Sequence, residues 1–393
     1  MTTGTVTTVS GRLVLDDRVA AGHITIEDGL ISAIALDDPA ADRRAADGAA
    51  VEGRAGDVPY LAPGFVDVHV HGWGGHDAMG DRAALDGMAR RLLRCGVTSF
   101  LPTAVSAPLG DLVAFAGRVR AWLPEAPADG AQPLGFNLEG PFLAAARRGA
   151  HDPSHLRIPA DTPLSTLEPL IDGLRLITVA PELPGATDLI EWLRGRGVAT
   201  SIGHSAATLE QARVGYTAGA TSTTHLFNAM TGVEHRAPGV AVAALLDDAV
   251  YVELIADGIH VDPALWPLIT RLKPPDRLLL VSDAIALAGM GDGRGTIGGL
   301  DVEVVGGHVT LVGTTTLAGS VIGLDTAVRN LVASGVALPA AVAAAGRNPL
   351  ALLGISDRGR LAVGQRADLV ELDSRLRMLR VMRAGTWFVG QAD

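Results

Sequence analysis

Two histidines stand one residue apart in the apolar run GFVDVHVHG, at His69 and His71. Successive side chains of a strand alternate faces, so both imidazoles point the same way. A pair of rings on one face, at the end of a Val-rich strand, suits a divalent cation. Pro63-Gly64 opens the run and Gly72-Trp73-Gly74-Gly75 closes it, which places both rings at the C-terminal mouth of the strand. Taken alone, the pair reads equally well as two satisfied polar residues at a strand end. Residues of the same chemical kind recur downstream in short apolar contexts: Glu139 in NLEGPF, His204 in SIGHS, His225 in THLFNAM, Asp257 and His260 in ADGIHV, and Asp283 in LVSDA.

The elements that must position these residues follow from apolar patterning. Apolar β-type runs fall at 64–71, 97–102, 134–139, 174–180, 198–204, 220–227, 249–256 and 277–283. Their spacing of roughly 20 to 40 residues is what a crossover helix and its loops require. Between them, 82–94, 109–122 and 188–194 carry apolar residues at helical spacing. Eight alternating units predict a closed (β/α)₈ barrel, and an open doubly wound sheet is the alternative. No Gly-x-Gly-x-x-Gly follows the first strand. In such a barrel, function collects at the C-terminal strand ends, where the polar residues of strands one, three, five, six, seven and eight fall. The chain ends differ in character. Short strand-like pieces in 4–60 and from about 356 onward predict a small β-sandwich built from both termini. The expected domains are therefore 1–61 with 356–393, and 62–355. A further β-like stretch, 296–311, reads as a hairpin.

Composition narrows the function. The chain has 393 residues, 48% hydrophobic and 19% charged, enough for a large core. A net charge of −11 argues against general nucleic-acid binding. No run is long and apolar enough for a membrane helix, and residues 1–10 lack the pattern of a signal peptide. The single cysteine, Cys95, excludes an internal disulfide and fits a reducing cytoplasm. Lys273 is the only lysine and lies in the loop Leu272-Lys273-Pro274-Pro275, a poor setting for a carboxylated lysine bridging two metals.

These motifs resemble those of the amidohydrolase superfamily, and within it the N-acetylglucosamine-6-phosphate deacetylases. The resemblance rests on 63–72, NLEGPF at 137–142, SIGHS at 201–205, THLFNAM at 224–230, ADGIHV at 256–261, LVSDA at 280–284, LAGS at 317–320 and the tail segment 359–372. NLEGPF with THLFNAM is a specific combination, whereas His-x-His and the tail are shared across the superfamily. The resemblance implies Glu139, His204 and His225 as metal ligands with an open position for water. Retention of His69 and His71 implies a second metal, with Glu139 as the bridging carboxylate. One or two divalent ions per chain are thus expected, zinc or iron.

The resemblance also assigns the other roles. Asp283 is the implied acid–base residue, and His151 the group that polarises the carbonyl or holds the oxyanion. Ala150 and His151 would meet the substrate near its acetyl group. Asn228 and Ala229, at an expected helix start, would offer backbone N–H groups to phosphate. Arg236 and His260 resemble a phosphate-binding pair, and Asp257, Leu317, Ala318 and Gly319 would line the sugar. The implied reaction hydrolyses the acetamide of N-acetylglucosamine 6-phosphate to glucosamine 6-phosphate and acetate. The implied partner is this small sugar phosphate, with no nucleic acid and no membrane, and a homodimer is expected because family phosphate contacts come partly from a neighbouring subunit. The rival readings are another amide hydrolase or deaminase of the superfamily, and a non-catalytic sugar-phosphate binder on the same scaffold.

Overall fold

The computed structural model describes residues 6–37 and 58–389. The parts of the expected terminal domain at 1–5, 38–57 and 390–393, including half of the segment read for a signal peptide, lie outside the described residues.

Eight parallel strands form the barrel: Phe65–Val70, Val97–Val105, Phe136–Glu139, Leu174–Val179, Ala199–Ile202, Ser222–Thr223, Tyr251–Leu254 and Leu278–Leu280. They lie side by side in chain order. The eighth strand returns to the first through Asp283 N–H to the His69 carbonyl at 2.8 Å and His71 N–H to the Ala284 carbonyl at 2.8 Å. Each expected run overlaps one strand, shorter than the run except for the second, which continues three residues past 102 to Val105. Phe65–Val70 is buried at all six positions, as a strand between a filled barrel and a helical layer must be.

The helices behave as their periodicity demands. Arg82–Arg94 begins at Asp81, whose side chain accepts the Ala84 N–H, and buries Leu85, Met88, Ala89, Leu92 and Leu93 along one stripe. Gly96, at φ +90, then turns the chain into the second strand. Leu109–Trp122 matches its expected range, and Ala186–Arg194 begins two residues early. One large apolar cluster joins the barrel strands to these helices.

The terminal strands join into one seven-stranded sheet. Its members are Val6–Val14, Val19–Glu27, Leu30–Leu36, Tyr60–Pro63, Leu369–Leu372, Met378–Arg383 and Thr386–Val389. The sheet curls round its own core of Leu13, Ile24, Ile26, Ile31, Leu61, Leu369 and Met382. Its edge strand meets the segment before Leu369–Leu372, with Ile31 N–H bonded to the Gln365 carbonyl at 2.8 Å. The expected hairpin is a three-stranded antiparallel sheet, Gly293–Ile297, Leu300–Val305 and His308–Leu311, packed on the barrel mouth through Val105 and Ile285.

Candidate active site and metal centre

At the C-terminal mouth of the barrel, side chains from the ends of five strands, the first, third, fifth, sixth and eighth, meet around one carboxylate. Glu139 closes the third strand and is buried. Its Oε1 lies 3.0 Å from His204 Nε2, 2.9 Å from His225 Nε2 and 3.5 Å from His69 Nε2. Its Oε2 lies 3.2 Å from both His71 Nε2 and His151 Nε2. Asp283 Oδ1 stands 3.1 Å from His71 Nε2 and 3.5 Å from His69 Nε2. His204, His225 and Asp283 have φ of +47, +29 and +50, left-handed conformations that non-glycine residues rarely adopt and that mark functional turns.

The hydrogen bonds on the far side of each ring decide what its near side can do. His69 Nδ1 is 3.0 Å from Glu253, His71 Nδ1 is 3.2 Å from the Thr103 carbonyl, and His204 Nδ1 is 2.8 Å from the Arg147 carbonyl. Each partner is an acceptor, so each neutral ring keeps its proton on Nδ1 and turns the Nε2 lone pair toward Glu139. His69 Nε2 is buried with no hydrogen-bond partner among the described residues. Three lone pairs aimed at carboxylate oxygens repel unless a cation lies between them. The donor set therefore fits divalent metal, with Glu139 shared between a group that adds His69, His71 and Asp283 and a group that adds His151 and His204; His225 Nε2 stands 3.1 Å from His204 Nε2. His151 is the contrasting case. Ser106 N–H donates to its Nδ1 at 3.2 Å, so the neutral ring carries its proton on Nε2 and presents a donor.

Charges follow this geometry. Burial drives His204 down to about 4, against the pull of Glu139, and keeps its lone pair free. Burial would lower His71 too, but hydrogen bonds to Asp283 and Glu139 outweigh it and raise the group to about 9. Burial opposes ionisation of Glu139 and Asp283; the surrounding imidazoles outweigh it and hold both below the usual carboxylate range. Without a cation, protons on the imidazoles balance the two carboxylates.

A cavity of about 340 Å³ opens above this cluster, a size suited to a small ligand. His71, Glu139, His204, His225, Asp283, Ala150, His151, Asn228, Ala229, His260, Leu317 and Gly319 line it. Three expected wall residues do not. Asp257 turns back onto its own loop, accepting the N–H groups of Ile259 and His260 and holding His260 Nδ1 at 2.7 Å. Ala318 is buried in the small core under the three-stranded sheet. Arg236 is exposed on the loop that follows Met230. No helix starts at Asn228 either. The segment is a tight turn with φ +77 at Phe227 and +49 at Ala229, and Asn228 N–H is bonded to the His225 carbonyl.

Sequence reasoning missed several contributors, among them Thr103 and Arg147, whose carbonyls orient His71 and His204. Val105 and Ile297 form an apolar part of the wall, Ser106 sets the His151 tautomer, and Glu253 grips His69. Only Glu253 left a signal, an acid inside the apolar strand Tyr251–Leu254.

The comparisons agree with the barrel. A sequence model of the amidohydrolase family matches residues 60–389, and the chain belongs to that family. It is 40% identical over 342 residues to N-acetylgalactosamine-6-phosphate deacetylase of Escherichia coli O157:H7, covering 85% of this chain and 88% of the relative. It is 41% identical over 353 residues to human N-acetylglucosamine-6-phosphate deacetylase, covering 85% and 84% respectively. Among solved structures, a mutant N-acetyl-D-glucosamine-6-phosphate deacetylase from Mycobacterium smegmatis in complex with N-acetyl-D-glucosamine-6-phosphate superposes with a TM-score of 0.87 at 35% identity, over 98% of this chain and all of that one.

Proposed function

We propose that the protein hydrolyses the acetamide of N-acetylglucosamine 6-phosphate, releasing acetate and glucosamine 6-phosphate. The observation that carries this reading is the contrast at Glu139. Three imidazoles present lone pairs there, and a fourth, His151, presents an N–H donor. That pairing suits a carbonyl held between Lewis acid and hydrogen-bond donor, as amide hydrolysis needs. The named activities of the relatives supply the substrate class.

Glu139, His204 and His225 would hold one cation, and His69, His71 and Glu139 a second; zinc and iron both suit these donors. A metal bound there would supply Lewis acidity to the carbonyl and would lower the pKa of a bound water from 15.7 to about 7. His151 Nε2–H donates to the carbonyl oxygen as charge develops on it. Asp283, held ionised, takes the proton lost by the attacking water and returns it to the nitrogen as the C–N bond breaks. His260, its ring fixed by Asp257, stands at the cavity wall for the phosphate, with Asn228 and Ala229 beside it. Arg236, exposed in one chain, would complete the phosphate site of a neighbouring copy in a homodimer. The same reading keeps 62–355 as the catalytic domain, 1–61 with 356–393 as its companion, and the cytoplasm as the compartment. No helix among the described residues is long and apolar enough to cross a membrane.

The Escherichia coli relative favours a second sugar, N-acetylgalactosamine 6-phosphate. Acetate release from both phosphorylated sugars and from their unphosphorylated forms, with metal removed and restored, tests the reading. Turnover should require metal and the 6-phosphate, and the preferred epimer decides between the sugars. Asp283→Asn should lower turnover by roughly 10²-fold or more. Acetate release from neither sugar phosphate by the metal-loaded protein would overturn the proposal.

A further inference from the structure

Glu253 is a carboxylate where a barrel strand normally carries Val or Leu. It lies in the seventh strand, Tyr251–Leu254, and is fully buried. Burying a charge in such a place is costly unless it is paired. Its partners are an imidazole and a backbone amide, with no lysine or arginine. Oε2 stands 3.0 Å from His69 Nδ1 and 3.2 Å from the His225 backbone N–H. Its own carbonyl accepts the Leu226 N–H at 2.8 Å. Oε1 is buried without a hydrogen-bond partner among the described residues. An apolar residue of similar size would fill the space at lower cost, so packing does not explain the choice.

What sets the two contacts of Oε2 apart is where they lead. His69 belongs to the group with His71 and Asp283, and His225 Nε2 stands 3.1 Å from His204 Nε2, while Glu139 Oε1 lies 3.5 Å from His69 and 2.9 Å from His225. One oxygen thus orients a ring of the first group and pins the backbone of His225. The pinned residue is the one at φ +29, whose conformation persists only if its surroundings over-determine it.

We propose that Glu253 is a positioning residue that ties the two metal positions together. It fixes the His69 proton on Nδ1, so that Nε2 stays a donor to metal, and it holds His225 at the distance from Glu139 that the other position needs. This inference rests on the metal-centre reading above. It adds that the two positions weaken together when one distant carboxylate is altered.

The test measures metal affinity by chelator competition, and metal per chain by elemental analysis, on the wild-type protein, Glu253→Gln and Glu253→Asp. Gln keeps the size and an oxygen acceptor but removes the charge. The expected result is a loss of roughly 10- to 100-fold in affinity at both positions. The melting temperature of the metal-free Gln variant should stay near that of the metal-free wild type, which separates positioning from a purely structural role. The cobalt-substituted variant should show altered ligand-field bands. Asp, which keeps the charge on a shorter arm, should recover part of the affinity, and it carries the test if the Gln variant does not fold. Wild-type affinity in both variants, or a loss confined to one position, would overturn the inference while leaving the metal centre standing. A wild-type protein that takes up no metal would overturn the metal-centre reading, and this inference with it.

Discussion

At the residue scale, the site works by assigning protons. A ring nitrogen 3 Å from a carboxylate oxygen is a hydrogen-bond donor, a metal ligand or a source of repulsion, and the opposite nitrogen decides which. Carbonyl and carboxylate acceptors at Nδ1 make His69, His71 and His204 lone-pair donors, and the Ser106 N–H makes His151 the reverse. A pH dependence follows. In the metal-free protein His71 sits at about 9, above the 6.5 of a free imidazole. A folded-state value raised in this way adds stability that is complete below pH 6.5 and is lost as pH climbs through 9. Metal removes the need for that proton and competes with it. Melting curves should show the metal-free protein weakening from pH 6.5 to 9, while the gap to the loaded protein widens. A gap that narrows over this range would contradict the assignment.

At the scale of elements, strand ends and the loops beyond them share the task. Asp283 follows the eighth strand by three residues and is fixed on both sides. Its N–H is bonded to His69 of the first strand, and its carbonyl accepts the Ser320 N–H at 2.8 Å. Gly319 is the close approach that allows the second contact. Its φ is +70, and a Cβ there would lie 2.8 Å from the Asp283 carbonyl oxygen and 2.7 Å from Ile285 Cγ2. Gly319→Ala is therefore expected to cost about 1–3 kcal/mol of stability through backbone strain and to displace Asp283. Thermal melting and turnover measured together check this, with kcat falling even where the protein remains fully folded.

At the scale of the molecule, the terminal sheet is clamped to the barrel by arginines. Arg383, in Met378–Arg383, donates to the carbonyls of Pro127, Ala128 and Gly130 in the segment before the third barrel strand. Arg358 reaches Gln132 in the same segment at 2.8 Å. Removing Arg383 leaves three carbonyls to find other partners, at about 1–3 kcal/mol. Arg383→Ala should lower the melting temperature, while metal content and kcat stay at wild-type values. A loss of metal in this variant would mean that the sheet supports the site directly.

Patterning alone determined the eight strands, three of the helices between them and the rim on which the chemistry lies. Burial on both faces of a barrel strand demands continuous apolar runs, and a polar residue ending such a run is visible in the letters. His69, His71, Glu139, His204, His225 and Asp283 were legible for that reason. Tertiary structure decided the rest. A ring's tautomer depends on an acceptor from a distant strand, as with His71 and Thr103. A wall residue such as Ile297 comes from an inserted sheet that no strand-end rule locates. Ala318 sits between the wall residues Leu317 and Gly319, and Asp257 three residues before His260, yet both turn away from the cavity, because side-chain direction is set by the turn geometry and packing around each residue, and these are fixed only when the whole chain has closed.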